Sequence, residues 1–136
     1  LSGIDADAAS DNRHIIHSED RKTALWVGAI DDIWKLGKPV GIGGPWKNTA
    51  IKAHEISAPY LMTGYDQKTL TLNSTDATTI TIEIDISGMG DWHEYKTFRL
   101  KPNKQIDYEF PTGFQAYWIR FISDTKTTAT AQLTYR

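Results

Sequence analysis

The residues best suited to binding chemistry are concentrated in one stretch, residues 34–52, which reads WKLGKPVGIGGPWKNTAIK. It contains two tryptophans, four lysines, four glycines and two prolines, and no acidic residue. An indole offers a flat apolar area for stacking, and a lysine ammonium meets hydroxyls, carboxylates or sulfates as a point charge. Glycine lets backbone approach a partner closely, and proline fixes the path of the chain. The pattern predicts a long binding loop whose candidate contacts are Trp34, Lys35, Lys38, Trp46 and Lys47.

The alternative for the same stretch is structural, because tryptophan is large and is usually highly buried. Trp34 and Trp46 would then be plugs that close an open end of a sheet. Trp26 and Trp118 lie in apolar runs and are predicted to belong to the core. Trp92 follows the glycine-rich turn at residues 88–91 and is predicted to be a second exposed aromatic.

Residues for catalysis or metal binding are present but not patterned. The four histidines form no HExxH motif, and no GxSxG or phosphate-binding GxxxxGK[ST] sequence occurs. A small hydrolase or lyase using His54 or His93 with Tyr65 stays open. It is a minor alternative, because nothing in the sequence places these residues together. No Asp-x-Asp-x-Asp-Gly spacing supports calcium, although a structural Ca²⁺ site also stays open. The sequence predicts a protein that is not an enzyme and has no cofactor.

Length and composition restrict the other classes. A chain of 136 residues with no cysteine is long enough for one domain, and it excludes a disulfide framework and a zinc-thiolate site. A formal net charge of −2 argues against generic nucleic-acid binding. No apolar run reaches the roughly 18 residues of a membrane span. Residues 1–12 are predicted to be a linker or frayed N-terminus, and residues 13–136 a single domain.

The hydrophobic pattern indicates β-structure throughout that domain. In residues 79–86, isoleucine alternates with threonine or acidic residues, as expected for a strand with one buried face. Residues 114–122 are apolar on both faces and predict a central strand covered on each side. Turn residues separate such runs at short intervals, which predicts an antiparallel β-sandwich of about eight to nine strands, in the jelly-roll or galactose-binding-like style.

Several long runs together resemble a known family. They are SED at 18–20, ALWVGAIDDIWKLGKP at 24–39, GGPWK at 43–47, PYLMTGYD at 59–66, AYWIR at 116–120 and ATA at 129–131. The chain over residues 13–135 resembles a C-terminal β-sandwich module of polysaccharide-processing proteins from Bacteroidetes and Planctomycetes. The resemblance implies a non-catalytic, carbohydrate-binding-module-like unit of a bacterial secreted, periplasmic or cell-surface protein. It adds Tyr65 and Asp66 to the candidate contacts.

Two functions follow as expectations. In the first, the domain binds a polysaccharide, with sugar rings stacked on Trp34 and on Trp46 or Trp92; the concentrated lysines favour an acidic or sulfated polymer such as an algal galactan. In the second, the domain is a structural accessory part that packs on the catalytic domain of a larger polysaccharide-degrading enzyme. The expected partners are a polysaccharide and other domains of the parent chain, with no nucleic acid, no membrane insertion and a monomeric state.

Overall fold

The computed structural model describes residues 13–20, 22–29, 31 and 40–136. The chain divides into two compact units, Leu1–Gly37 and Lys38–Arg136. In the first unit, β1 (Ile15–His17) and β2 (Ala24–Trp26) form an antiparallel two-stranded sheet. Trp26 is buried there and stacks on the His14 ring, with the ring centroids 5.5 Å apart. The predicted linker and three candidate contacts, Trp34, Lys35 and Lys38, lie outside the described residues.

The second unit contains two four-stranded antiparallel sheets. The first has the strand order β3-β10-β5-β8 and the second has the order β4-β9-β6-β7. The strands are β3 (Gly41–Ile51), β4 (Tyr60–Leu61), β5 (Lys68–Ser74), β6 (Thr78–Asp85), β7 (Trp92–Leu100), β8 (Ile106–Glu109), β9 (Trp118–Ser123) and β10 (Thr127–Tyr135). The all-β, antiparallel sandwich is confirmed, with ten strands in the described residues where eight to nine were expected.

The core lies between inward-facing side chains of both sheets. In β6, Ile80, Ile82 and Ile84 are buried while the intervening threonines and Glu83 are partly exposed. The neighbouring β9 repeats this alternation, because its other face is the outer surface of the sheet. The expected central position of this strand is confirmed, since β9 lies between β4 and β6. The expectation that it is covered on both faces is wrong, because its outer face is partly exposed. The strand also begins only at Trp118.

The prediction of a long loop over residues 34–52 is also wrong for residues 41–51, which the structure describes as a strand. Residues 41–51 form β3, an edge strand paired with β10, with irregular register near Trp46. The glycines allow close approach, but to the domain's own atoms. A Cβ at Gly44 would overlap the carbonyl oxygen of Ala131, and a Cβ at Gly43 would overlap the hydroxyl of Tyr60.

Among the described residues, no helix is long and apolar enough to cross a membrane.

Candidate functional site

Trp46 belongs to the core and does not form an exposed stacking surface. Its exposed fraction is 4%, and its ring packs against Phe121 with the centroids 5.8 Å apart. The next residue, Lys47, is exposed, because side chains alternate along β3 at this point. The predicted lysine-bordered indole at positions 46 and 47 is therefore corrected: the lysine is at the surface and the indole is not. This half of the predicted site fits the structural alternative.

A different aromatic surface lies on the outer face of the second sheet. Trp92 on β7 and Trp118 on β9 are both registered opposite Asp85 on β6, so the three side chains leave the same face. Leu61, registered opposite Trp118, extends this surface and is 41% exposed. We call this surface the indole face; its members are Leu61, Glu83, Asp85, Trp92, Glu94, Trp118 and Arg120.

An ion pair crosses the indole face. Arg120 donates from Nε to the Oε2 of Glu83 at 2.6 Å, and both side chains are about one-fifth exposed, at 22% and 21%. The guanidinium carbon of Arg120 also lies 4.1 Å from the centroid of the Trp92 ring. Such a cation–π contact holds a planar cation against an indole. Trp92, which the sequence analysis predicted to be exposed, is thus partly buried, with a guanidinium on one side of its ring.

Asp85 is the buried member of the indole face. It is 1% exposed, and its carboxylate accepts hydrogen bonds from the amides of Gly88 and Gly90, each at 2.8 Å. Burial alone would raise its pKa, but these amides and Ser87 outweigh burial and hold the pKa below its ordinary value. The carboxylate therefore fixes the loop that follows β6. The sequence analysis placed Asp85 on a wet face and Ile86 in the core, whereas Ile86 is 58% exposed.

This arrangement predicts that Asp85→Asn lowers the melting temperature at neutral pH. The carboxylate now accepts hydrogen bonds from two backbone amides. In the variant, the side-chain N–H group would face one of these donors, and that hydrogen bond would be lost. Because the folded-state pKa is depressed, the stabilisation is present above the unfolded pKa near 3.8 and is lost as pH falls through the folded pKa. The difference between wild type and variant in a thermal melt should shrink below about pH 4. Asp91→Asn is the neighbouring control, and an equal pH response in both variants would contradict the assignment.

Tyr65 and Asp66 lie at a separate place. The Tyr65 ring stacks on Tyr135 with the centroids 4.3 Å apart, so Tyr65 is partly committed to packing. Asp66 lines an open cleft of about 510 Å³, within the usual range for small-ligand sites. The side chains and backbone around this cleft belong to Asp66, Gln67, Thr112, Gly113, Gln115 and Arg136.

Lys68 forms hydrogen bonds to two chain segments that border that cleft. It is 2% exposed, and its ammonium donates to the carbonyls of Tyr65 at 2.6 Å and Phe114 at 2.9 Å. Burial lowers the pKa of Lys68, and the charge of Asp66 acts in the opposite direction. The sequence analysis missed Lys68, since a lysine at the start of a strand reads as solvated. Glu83 and Arg120 were also missed. The assignment of Trp118 to the core was wrong, because Trp118 is partly exposed on the outer face of the second sheet. The alternation in residues 118–123 carries a signal for Trp118 and Arg120.

Within the ranges that the structure describes, no group of three or more His, Cys, Asp or Glu side chains is placed to hold a metal ion. The expectation of no cofactor stays a prediction, and a structural calcium site stays an open alternative. Comparisons with protein-family models and with curated proteins give no match to this chain. The resemblance to a module of polysaccharide-processing proteins therefore also stays a prediction.

Proposed function

We propose that this domain is a non-catalytic carbohydrate-binding module that recognises a polysaccharide. The observation that carries the proposal is the indole face, where two partly exposed tryptophans share one sheet surface with a hydrogen-bonded Arg120–Glu83 pair. Indoles bind the apolar faces of sugar rings, and charged hydrogen-bonding groups beside them meet the hydroxyls. A rigid sheet holds these groups in place, which limits the entropy lost on binding.

The surface residues that support this proposal differ from those expected from the sequence. Trp92 remains among the contacts, and Trp118, Arg120 and Glu83 join it. Trp46 is removed from the candidate contacts because it is buried. Lys47 is exposed, but the Trp46 indole does not accompany it at the surface. Trp34, Lys35 and Lys38 remain candidates from the sequence, and Tyr65 and Asp66 remain candidates at the separate cleft.

The test compares the retardation of the wild type and of the Trp118→Ala variant in affinity gels that contain a panel of polysaccharides. We expect retardation of the wild type and a loss of affinity of about tenfold in the variant, which corresponds to about 1.4 kcal/mol, because the truncation removes the apolar area that the indole buries against the sugar. Trp118 is partly exposed, so the melting temperature should change little. The matched control is Ile42→Ala, which truncates an apolar side chain that is 79% exposed on the first sheet. Equal losses in both variants would contradict the proposal.

The second candidate function is a structural accessory domain packed on a catalytic partner. Exposed apolar side chains next to the indole face favour it: Ile86 is 58% exposed, Met89 is 84% exposed and Tyr117 is 49% exposed. Gly88 packs against the Tyr117 ring, and the Tyr117 amide donates to Asp85, so these residues are neighbours of that face. Contiguous exposed apolar area is typical of protein contacts. A folded domain that binds no polysaccharide would favour this candidate.

A further inference from the structure

We propose that the indole face binds an uncharged polysaccharide and disfavours polyanions, an inference that rests on the proposed carbohydrate-binding function. The reason is the charge that this face carries. Three carboxylates, those of Glu83, Asp85 and Glu94, share the face with the guanidinium of Arg120. Three negative groups and one positive group give the described face a formal charge of −2.

The single guanidinium is already engaged. Its Nε donates to the carboxylate of Glu83, and its guanidinium carbon lies 4.1 Å from the centroid of the Trp92 ring, so the charge already has two partners. An incoming sulfate or uronate would have to compete with Glu83 for Arg120. The buried Asp85 stays ionised at neutral pH, since two amides favour its charged form.

Three other cations of the second unit, Arg99, Lys96 and Lys47, are not registered beside the carboxylates of this face. Arg99 is registered opposite Thr79, four residues along β6 from Glu83, which is about 13 Å. The backbone positions of Arg99 and Glu83 are thus farther apart than the Debye length of about 8 Å at physiological salt. Lys96 is registered opposite the buried Ile82, and its ammonium lies 4.2 Å from the centroid of the Tyr108 ring. Lys47 belongs to the first sheet.

The geometry also favours a chain over a single sugar. Trp92 and Trp118 flank β6 in the same register, two inter-strand spacings apart, which is about 10 Å. This spacing of the two backbone positions suits successive residues of an extended glycan better than one pyranose ring. Sugar hydroxyls donate to carboxylates, so Glu83 and the exposed Glu94 are acceptors that suit a neutral ligand.

The experiment measures retardation of the 136-residue chain in gels containing neutral or anionic polymers. The neutral probes are mixed-linkage β-glucan, galactomannan and xylan, and the anionic probes are alginate and κ-carrageenan. Each is tested from about 0.01 M to about 1 M salt, where the Debye length falls from about 30 to about 3 Å. We expect retardation by at least one neutral polymer with little salt dependence, and affinity for the polyanions at least tenfold lower at low salt.

A pair of charge-reversal variants locates the effect. Glu94→Lys replaces an exposed carboxylate on the indole face, and Glu109→Lys makes the same change in net charge on the first sheet. We expect polyanion retardation to increase about tenfold at low salt for Glu94→Lys and to change less than twofold for Glu109→Lys. Equal gains in both variants would mean that net charge alone sets the response, and the inference would be wrong.

The outcomes separate this inference from the function on which it rests. Preferential binding of alginate or κ-carrageenan that weakens with salt would overturn the inference and leave polysaccharide binding intact. It would also agree with the lysine-based expectation from the sequence. Retardation by none of the five polymers, with a folded protein, would contradict the inference and the proposed function together.

Discussion

Trp46→Ala is expected to reduce the free energy of unfolding by about 3–5 kcal/mol, the usual cost of truncating a large buried aromatic side chain. Trp46 is 4% exposed and packs on Phe121, which itself is fully buried in the other sheet. The truncation therefore opens a cavity between the two sheets rather than uncovering a surface. A domain of this size has roughly 5–15 kcal/mol of stability in total, so the loss is a large fraction of it. Differential scanning calorimetry should give a melting temperature lower by about 9 °C or more, at about 3–5 °C per kcal/mol.

The neighbouring exposed residue supplies the control. Lys47→Ala removes a solvated side chain whose residue contributes to the fold through its backbone amide, which donates to the hydroxyl of Thr49. We expect its effect on stability to stay within about 0.5 kcal/mol. If Trp46→Ala does not fold, Trp46→Phe keeps a ring in the site and should cost less. Loss of polysaccharide affinity at an unchanged melting temperature would contradict the core assignment and restore Trp46 as a ligand contact.

The contrast between Trp46 and β6 shows which features the sequence could predict. Alternation of isoleucine with threonine is a local signal that follows from strand geometry, and it correctly indicated the buried Ile80, Ile82 and Ile84. For Trp46, the same local rule gave no answer, because four glycines and two prolines suppress the pattern of residues 34–52. Glycine and proline are typical of binding loops, but glycine also occurs in strands whose backbone lies very close to other atoms of the same domain. Only the partner atoms, Tyr60 and Ala131, distinguish the two cases.

The candidate site was harder to predict because it is assembled across strands. Trp92 and Trp118 are 26 positions apart in sequence, and they become neighbours only through the register of both with Asp85. The Arg120–Glu83 pair likewise joins residues 37 positions apart. No periodicity within one segment specifies such a register. Lys68 shows a further limit: its burial depends on two carbonyls, from Tyr65 and Phe114, that sequence patterns do not place.

The glycines of β3 give a second large and specific effect. Gly44→Ala is expected to prevent folding or to destabilise the domain by several kcal/mol, since its Cβ would overlap the backbone carbonyl of Ala131 on the paired strand β10. Backbone cannot move aside without breaking the ladder between β3 and β10, which is the reason for a cost as large as that of core overpacking, about 1–3 kcal/mol or more. The loss in free energy of unfolding is measured by urea denaturation, with tryptophan fluorescence as the signal. Gly64→Ala is a useful comparison, because at φ +92 it strains the backbone while its Cβ meets nothing within 4 Å.

Gly43 distinguishes a clash with a side chain from a clash with backbone. A Cβ at this position would overlap the hydroxyl of Tyr60, and the ring carbon that carries the hydroxyl lies 3.0 Å away. Gly43→Ala should therefore be destabilising alone and partly rescued by Tyr60→Phe, which removes the overlapping oxygen and leaves a tight contact. The same Tyr60→Phe change should give Gly44→Ala no benefit, because the obstacle there is a carbonyl of β10. A double-mutant cycle gives the coupling energy. Rescue of both glycine variants, or of neither, would mean that these glycines are not retained for close approach within the fold, and their role in binding a partner would again be the better explanation.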